Sequence, residues 1–269
     1  MGKDKRDIVV GDPWGKLRQY TPARIALGRA GTSLPTKPHL EFQLAHAKAR
    51  DAVHHELDIP ALQRTLAERG LDPLVLKSCA ENRAHYLQRP DKGRRLDPQS
   101  RAELEARPRP EQPYDVAFVI GDGLSAMAIE ENVVRFLDVM LPALADDWRV
   151  APLTIVKEAR VAIGDEIGEI LGAKLVVILI GERPGLSSPD SMGIYMTLDP
   201  RVGLTDESRN CISNVRPEGL SYEQAAYKLS YLMTEARRRG LSGVHLKDEA
   251  GAMPQIEPRS AENFLIDKN

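Results

Sequence analysis

The chain has 269 residues, with 37 Lys and Arg against 39 Asp and Glu and a formal net charge of −2. That length supports a substantial core in one large or two modest domains, and balanced charge argues against the clustered basic surface that nucleic acid or an anionic membrane requires. Aromatic residues make up only 5%, too few for stacking platforms, and no apolar run approaches the roughly 20 residues of a membrane span.

The N-terminal run Met1 to Asp7 is charged and has no apolar segment behind it, so it does not read as a secretory signal. Cys79 and Cys211 lie far apart, outside any CxxC or metal-type spacing. Reduced thiols in a soluble cytoplasmic protein are the expectation.

In chain order, Thr21-Pro22 predicts an N-cap and N1 proline opening a short helix that ends near Gly31. A longer helix carries Leu40, Leu44, Ala47, Val53 and Leu57 on one stripe. Another runs from Asp58-Ile-Pro60 to Gly70, with Leu62 and Leu66 one turn apart. Tyr86 to Arg95 reads as a basic loop, and Pro98 to Arg107 as a fourth helix bounded by Asp97 and Pro108. Arg107 to Pro113 holds three prolines in seven residues, which places a boundary between a helical N-terminal region, 1–110, and a second domain, 111–269.

Beyond that boundary strands and helices alternate. Val116 to Ile120 is an apolar strand, followed by Gly121-Asp-Gly-Leu-Ser125 and a helix to about Ala145. Val150 to Val156 is a second strand, Asp165 to Leu171 a second helix, Leu175 to Ile180 a third strand and Gly193 to Leu198 a fourth. Ser221-Tyr-Glu-Gln224 has capping-box spacing and opens a helix carrying Ala225, Leu229, Leu232 and Ala236. Its end, Arg237-Arg-Arg-Gly240, suits the negative pole of the helix dipole and a C′ glycine. The tail from Lys247 to Asn269 shows little periodicity. The series predicts an α/β fold in which a helical N-terminal region precedes a Rossmann-like, mostly parallel sheet covered on both faces.

In such sheets ligands sit beyond the carboxyl ends of the strands, which draws attention to Gly181 to Asn214. Its charged, Pro/Gly-rich start leaves a buried strand abruptly and reads as an active-site or cofactor loop. Gly121-Asp-Gly123 invites a dinucleotide reading, but position 126 is Ala where GxGxxG needs glycine. A tight turn, with Asp122 or Ser125 capping the next helix, is the plainer account. Five of six histidines precede the boundary, His54 and His55 point in different directions on a helix, and Ser187 and Ser188 lie in no GxSxG elbow. The only later histidine, His245, lies outside any DxHxxG cobalamin motif. No Walker A run is present, so a self-contained hydrolase or kinase is hard to assemble.

Five blocks occur in order: Arg89-Pro-Asp-Lys-Gly-Arg-Arg95, Gly121-Asp-Gly-Leu-Ser125, Asp165-Glu-Ile-Gly-Glu-Ile-Leu-Gly-Ala173, Gly181-Glu-Arg-Pro-Gly-Leu186 and Cys211-Ile-Ser-Asn214. Together, from about Thr21 to Val244, they resemble the small subunit of ethanolamine ammonia-lyase. The resemblance implies an adenosylcobalamin-dependent radical enzyme that converts ethanolamine to acetaldehyde and ammonia. It further implies a large-subunit partner, a TIM barrel holding the substrate and catalytic groups, and an assembly of six large and six small chains. The base-on cofactor would lie between subunits and take no histidine ligand from this chain. Cofactor contacts carried over by matching position are Val161 in Arg-Val-x-Ile, Glu182 in Gly-Glu-Arg-Pro-Gly and Cys211 in Cys-Ile-Ser-Asn, with no catalytic residue and no metal ligand. A carboxylate such as Glu182 suits a corrin rim of amide N–H donors. Cys211 and Val161 suit packing or main-chain contact.

Two departures matter. About twenty residues precede the match, whereas some family members carry a longer extension linked to bacterial microcompartments, so a free cytoplasmic enzyme is the expectation and an encapsulated one the alternative. Ala162-Ile-Gly164 lacks the basic residue often found beside the valine. The rival readings are an NAD-binding oxidoreductase using Gly121 to Ser125, and a non-catalytic scaffold docking through its helical N-terminal part.

Overall fold

The structure is a computed structural model and describes residues 8–108, 110–144 and 147–251. Helices α1 (Thr36–His54) and α2 (Ile59–Ala67) precede strand β1 (Leu74–Lys77), followed by α3 (Arg83–Gln88) and α4 (Pro98–Glu105). Then come β2 (Tyr114–Gly121), α5 (Ala126–Ala143), β3 (Thr154–Lys157), α6 (Ile163–Leu171), β4 (Ala173–Gly181), β5 (Met192–Leu198), β6 (Arg209–Val215) and α7 (Tyr222–Arg239).

The six strands form one sheet in the order β1-β3-β2-β4-β5-β6. The pairings β1–β3, β3–β2 and β2–β4 are parallel, and β4–β5 and β5–β6 are antiparallel. The α/β class with a mostly parallel sheet is as read from the sequence. Local chemistry accounts for the elements. Asp58, Asn82, Asp97, Ser125 and Ser221 cap α2, α3, α4, α5 and α7 through their side-chain oxygens. Gly172 and Gly240 end α6 and α7 in the left-handed conformation.

Four expectations need correction. No helix follows Thr21, because Ala26 and Gly28 take positive φ values, 50° and 75°, which a right-handed helix cannot accommodate. A 3₁₀ turn at Pro13–Gln19, capped by Asp12, stands just ahead instead. β1 lies within the stretch read as helical; its four residues are too few to show a period. Tyr86 belongs to α3 rather than to a loop. The strand read at Gly193 to Leu198 is present as β5, but the remainder of Gly181 to Asn214 is not all loop, since Cys211 sits inside a further antiparallel strand, β6. Ala145 and most of the tail lie outside the described residues.

One face of the sheet packs Phe118, Ile120, Val177, Leu179, Ile194 and Ile212 against α2, α5 and α7, including Leu66, Phe136 and Leu229. The other face packs Val119, Val156, Val176 and Ile178 against Ile163, Ile167 and Leu171 of α6 and Leu104 of α4. This second face is where the candidate site lies. The stripe on α1 behaves differently: Leu40, Leu44 and nearby Phe42 are exposed, and only Ala52 on the helix is buried.

Candidate functional site

The strand ends beneath the Gly121 to Ser125 turn leave no dinucleotide crevice. Leu124 N donates to Gly181 O at 2.9 Å and Ser125 Oγ to Pro189 O at 2.7 Å. A Cβ on Gly123, whose φ is +59°, would stand 2.2 Å from Gly181 O. The glycines let the β2 turn and the end of β4 close on each other. Asp122 does not cap α5, as Ser125 does. Its carboxylate accepts from Glu158 N at 2.9 Å and Ala159 N at 2.8 Å, tying the end of β3 to the end of β2.

Behind that tie lies a buried charge cluster. Arg83 Nη1 is 3.5 Å from both Asp122 and Glu158, and it donates to Gly123 O at 2.8 Å. Burial raises the pKa of both carboxyls against the pull of Arg83. Tyr86 is stacked between Arg83 and Arg160, with guanidinium carbons 4.9 and 4.4 Å from its ring centre, and its hydroxyl donates to Ala159 O at 2.8 Å. Ala159 and Arg160 lead directly into Val161, so the cluster holds that turn in place.

Val161 lies in the turn between β3 and α6, half-exposed and packed on the α6-side core. Tyr195 packs on the same core from β5. Cys211 pairs with Tyr195 across β5–β6, and neighbouring Ile212 points into the opposite core. Cys211 and Ser213 therefore share the α6 side of the sheet, and both are exposed because α6 lies over β2 and β4. Their side chains approach each other at 3.3 Å. Burial, then the proximity of Cys211 and Glu182, pushes the Tyr195 phenol pKa up, so it is a neutral hydroxyl at neutral pH.

Glu182 stands immediately after β4. Its carboxylate accepts from Ser191 Oγ and from Asn214 N at 3.4 Å. A Cβ on Gly193 would meet Glu182 Oε1 at 2.9 Å, so the glycine lets this side chain lie across β5 toward β6. Neither Arg183 nor Arg160 pairs with it among the described residues. The three positions carried over from the sequence thus border one side of the sheet: Val161 at the α6 turn, Glu182 at the strand end and Cys211 on the edge strand. Sequence reasoning missed Gly193, Tyr195, Ser191 and Asn214. Pairing between β5 and β6 brings them in, and the polar run of β6 did not signal a strand.

A second device fixes the lower end of β6. Arg209 forms a buried ion pair with Asp165 of α6 and donates to the carbonyls of Leu204 and Thr205. Burial outweighs the guanidinium and lifts the Asp165 pKa to about 6.

The sequence pattern of the ethanolamine ammonia-lyase light chain matches residues 11–247. The chain belongs to this family. It is 60% identical over 247 residues to the ethanolamine ammonia-lyase small subunit of Azotobacter vinelandii, covering 91% of this chain and 92% of that one. Against the small subunit of Pseudomonas aeruginosa strain PAO1 the identity is 57% over 264 residues, covering 97% and 96%. Against that of Pseudomonas putida it is 54% over 270 residues, covering 98% and 99%. As an ethanolamine ammonia-lyase small subunit the chain is part of a lyase, and the family name implies a large-subunit partner. No helix among its described residues is long and apolar enough to cross a membrane.

Proposed function

We propose that this chain forms one wall of an adenosylcobalamin site whose other wall is the large subunit, and that the complex deaminates ethanolamine to acetaldehyde and ammonia. The observation that carries the reading is the upper half of β5–β6. The chain's own helices leave it open, and Val161, Glu182 and Cys211 border it. When bound, the cofactor supplies the radical that abstracts hydrogen from substrate.

The residues present fit such a group. Gly193 keeps the face low beside Glu182, whose carboxylate accepts hydrogen bonds from an amide-bearing rim. Ser191 Oγ and Asn214 N both donate to Oε2 and orient that carboxylate, which leaves Oε1 as the oxygen for a ligand. Tyr195, Cys211 and Val161 supply packing area and exclude water. The buried Arg83–Asp122–Glu158 cluster and Tyr86 hold the Val161 turn, which reduces the ordering cost of binding. No side chain here is required to move a proton on the substrate; that work falls to the large subunit.

The N-terminal surface supports the partnership. Trp14, Tyr20, Leu40, Phe42 and Leu44 are each exposed in the N-terminal region, and we assign the covering of these apolar side chains to the large subunit. Six small and six large chains form the proposed assembly, in the cytoplasm or a bacterial microcompartment. Co-expression with the large subunit tests the reading. A stable complex should bind adenosylcobalamin and release acetaldehyde from ethanolamine. A complex that forms but binds no corrinoid overturns it.

A further inference from the structure

Beside Val161 lies a cavity of about 670 Å³ that none of the contacts above explains. Its walls come from three segments: Asp91 to Arg95, Arg160 to Asp165, and the Val202 to Asp206 part of the β5–β6 connection. We infer that Arg94 and Arg160 make this cavity a site for a phosphate ester. The inference rests on the cofactor reading for the ester's identity, while the anion site itself follows from the charge arrangement.

The cavity's acids are already engaged. Asp91 is bonded to Arg89 at 2.8 Å, Asp165 is paired with Arg209, and Asp206 stands 3.5 Å from Arg209. Arg95 is bonded to Glu166 at 3.0 Å. Arg94 and Arg160 remain, and among the described residues neither forms an ion pair. Arg160 is the more constrained of the two. Its guanidinium stacks on the buried Tyr86 ring, and its Nε–H is buried without a partner, an arrangement that costs stability unless a ligand completes it.

The segments are held together closely. Arg160 N donates to Gly93 O at 2.7 Å, and a Cβ on Gly93 would stand 2.9 Å from Arg160 Cγ and 2.8 Å from the Tyr86 ring. Glycine at 93 thus lets the basic loop lie against Arg160 and sets Arg94 next in sequence at the cavity wall. Ala162, which precedes α6, also lines the cavity, and the first N–H groups of that helix are already taken by the carbonyls of Arg160, Val161 and Ala162, so the two guanidiniums are the donors left for an anion.

Two unpaired guanidiniums favour a tetrahedral oxyanion with several acceptors. The volume leaves room for a phosphate carried on a larger molecule. Among the groups of base-on cobalamin, the phosphodiester of the nucleotide tail is the anionic one, and Val161 adjoins both the cavity and the open face. The tail phosphodiester is therefore the assigned occupant, and inorganic phosphate is the competing source of the same chemistry.

The test uses the complex with the large subunit and follows corrinoid absorbance in titrations with cyanocobalamin and with dicyanocobinamide, which lacks the nucleotide and its phosphodiester. Arg94→Gln and Arg160→Gln should each weaken cyanocobalamin binding about 10- to 100-fold, the worth of a charged hydrogen bond, and leave dicyanocobinamide unchanged. Arg94 is exposed, so its variant keeps the fold even where Arg160→Gln does not. Equal losses for both corrinoids, or no loss for either, overturn the assignment to the tail. If the wild-type complex binds neither corrinoid, the cofactor reading itself fails. Inorganic phosphate then decides the anion site: it should raise the wild-type melting temperature but not that of Arg94→Gln, and equal behaviour removes the site.

Discussion

The two faces of the sheet are finished by different means. On one, α2, α5 and α7 cover β2 through β6, and Phe136, Ile194, Ile212 and Leu229 disappear from solvent. On the other, α4 and α6 cover the parallel half, and Cys211 and Ser213 on β6 stay exposed. The first face completes itself, whereas the second ends in a surface with a carboxylate at its rim and a glycine at its floor. Stability and binding should therefore separate by face, because apolar burial acts on the folding equilibrium and open polar contacts act only when a ligand arrives.

The comparison is sharpened most by Phe136→Ala. A fully buried phenyl on the closed face is removed, and denaturant unfolding should show a loss of about 3–5 kcal/mol. Corrinoid affinity of the folded complex should be unchanged. Loss of affinity with little loss of stability would break the division between faces.

A pH series probes the anchor of the open side. Asp165 is raised from 3.8 to about 6 in the folded protein. Folded protein therefore holds a proton that the unfolded chain releases between those values, and this group's contribution to stability falls as pH rises from about 4 to 6. Asp165→Asn should flatten that part of the stability profile measured by denaturant midpoints. An unchanged slope would remove Asp165 as its source.

Smaller and confined to binding is the effect of Glu182→Ala. Corrinoid affinity of the complex should weaken by about 1–3 kcal/mol, the range for an unmade polar contact, with the denaturant midpoint nearly constant. Unaltered affinity takes Glu182 out of the site. Cys211→Ala should do least. The residue is exposed, so stability should move within about 0.5 kcal/mol. A packing contact predicts a modest affinity loss, and abolished activity would instead point to thiol chemistry.

Much of the fold was legible in sequence because it was written in local patterns. β2 and β4 are apolar throughout, α5 and α7 carry helical periods behind serine caps, and Gly172 and Gly240 mark helix ends. β1 and β6 were not legible. The first is four residues long, and the second has few apolar positions and breaks its alternation at the adjacent exposed pair Ser213 and Asn214, where the β5–β6 register shifts. The helix expected after Thr21 failed because cap chemistry says nothing of the left-handed residues that follow. Val161, Glu182 and Cys211 were named from family blocks. Gly193 and Tyr195 carried no motif and join them only through strand pairing.

The sequence by itself determined the α/β class, the buried strands and the family, since apolar runs, capping residues and ordered motifs are properties of neighbours along the chain. Only the tertiary structure decided that Gly121 to Ser125 closes on Gly181 instead of opening a crevice. It likewise decided that Glu182 reaches across Gly193 toward β6, and that Arg94 and Arg160 share a cavity wall. Those facts depend on pairing and close approach between distant segments. Long-range geometry of that kind is set by how strands register and helices pack, and no local pattern encodes it.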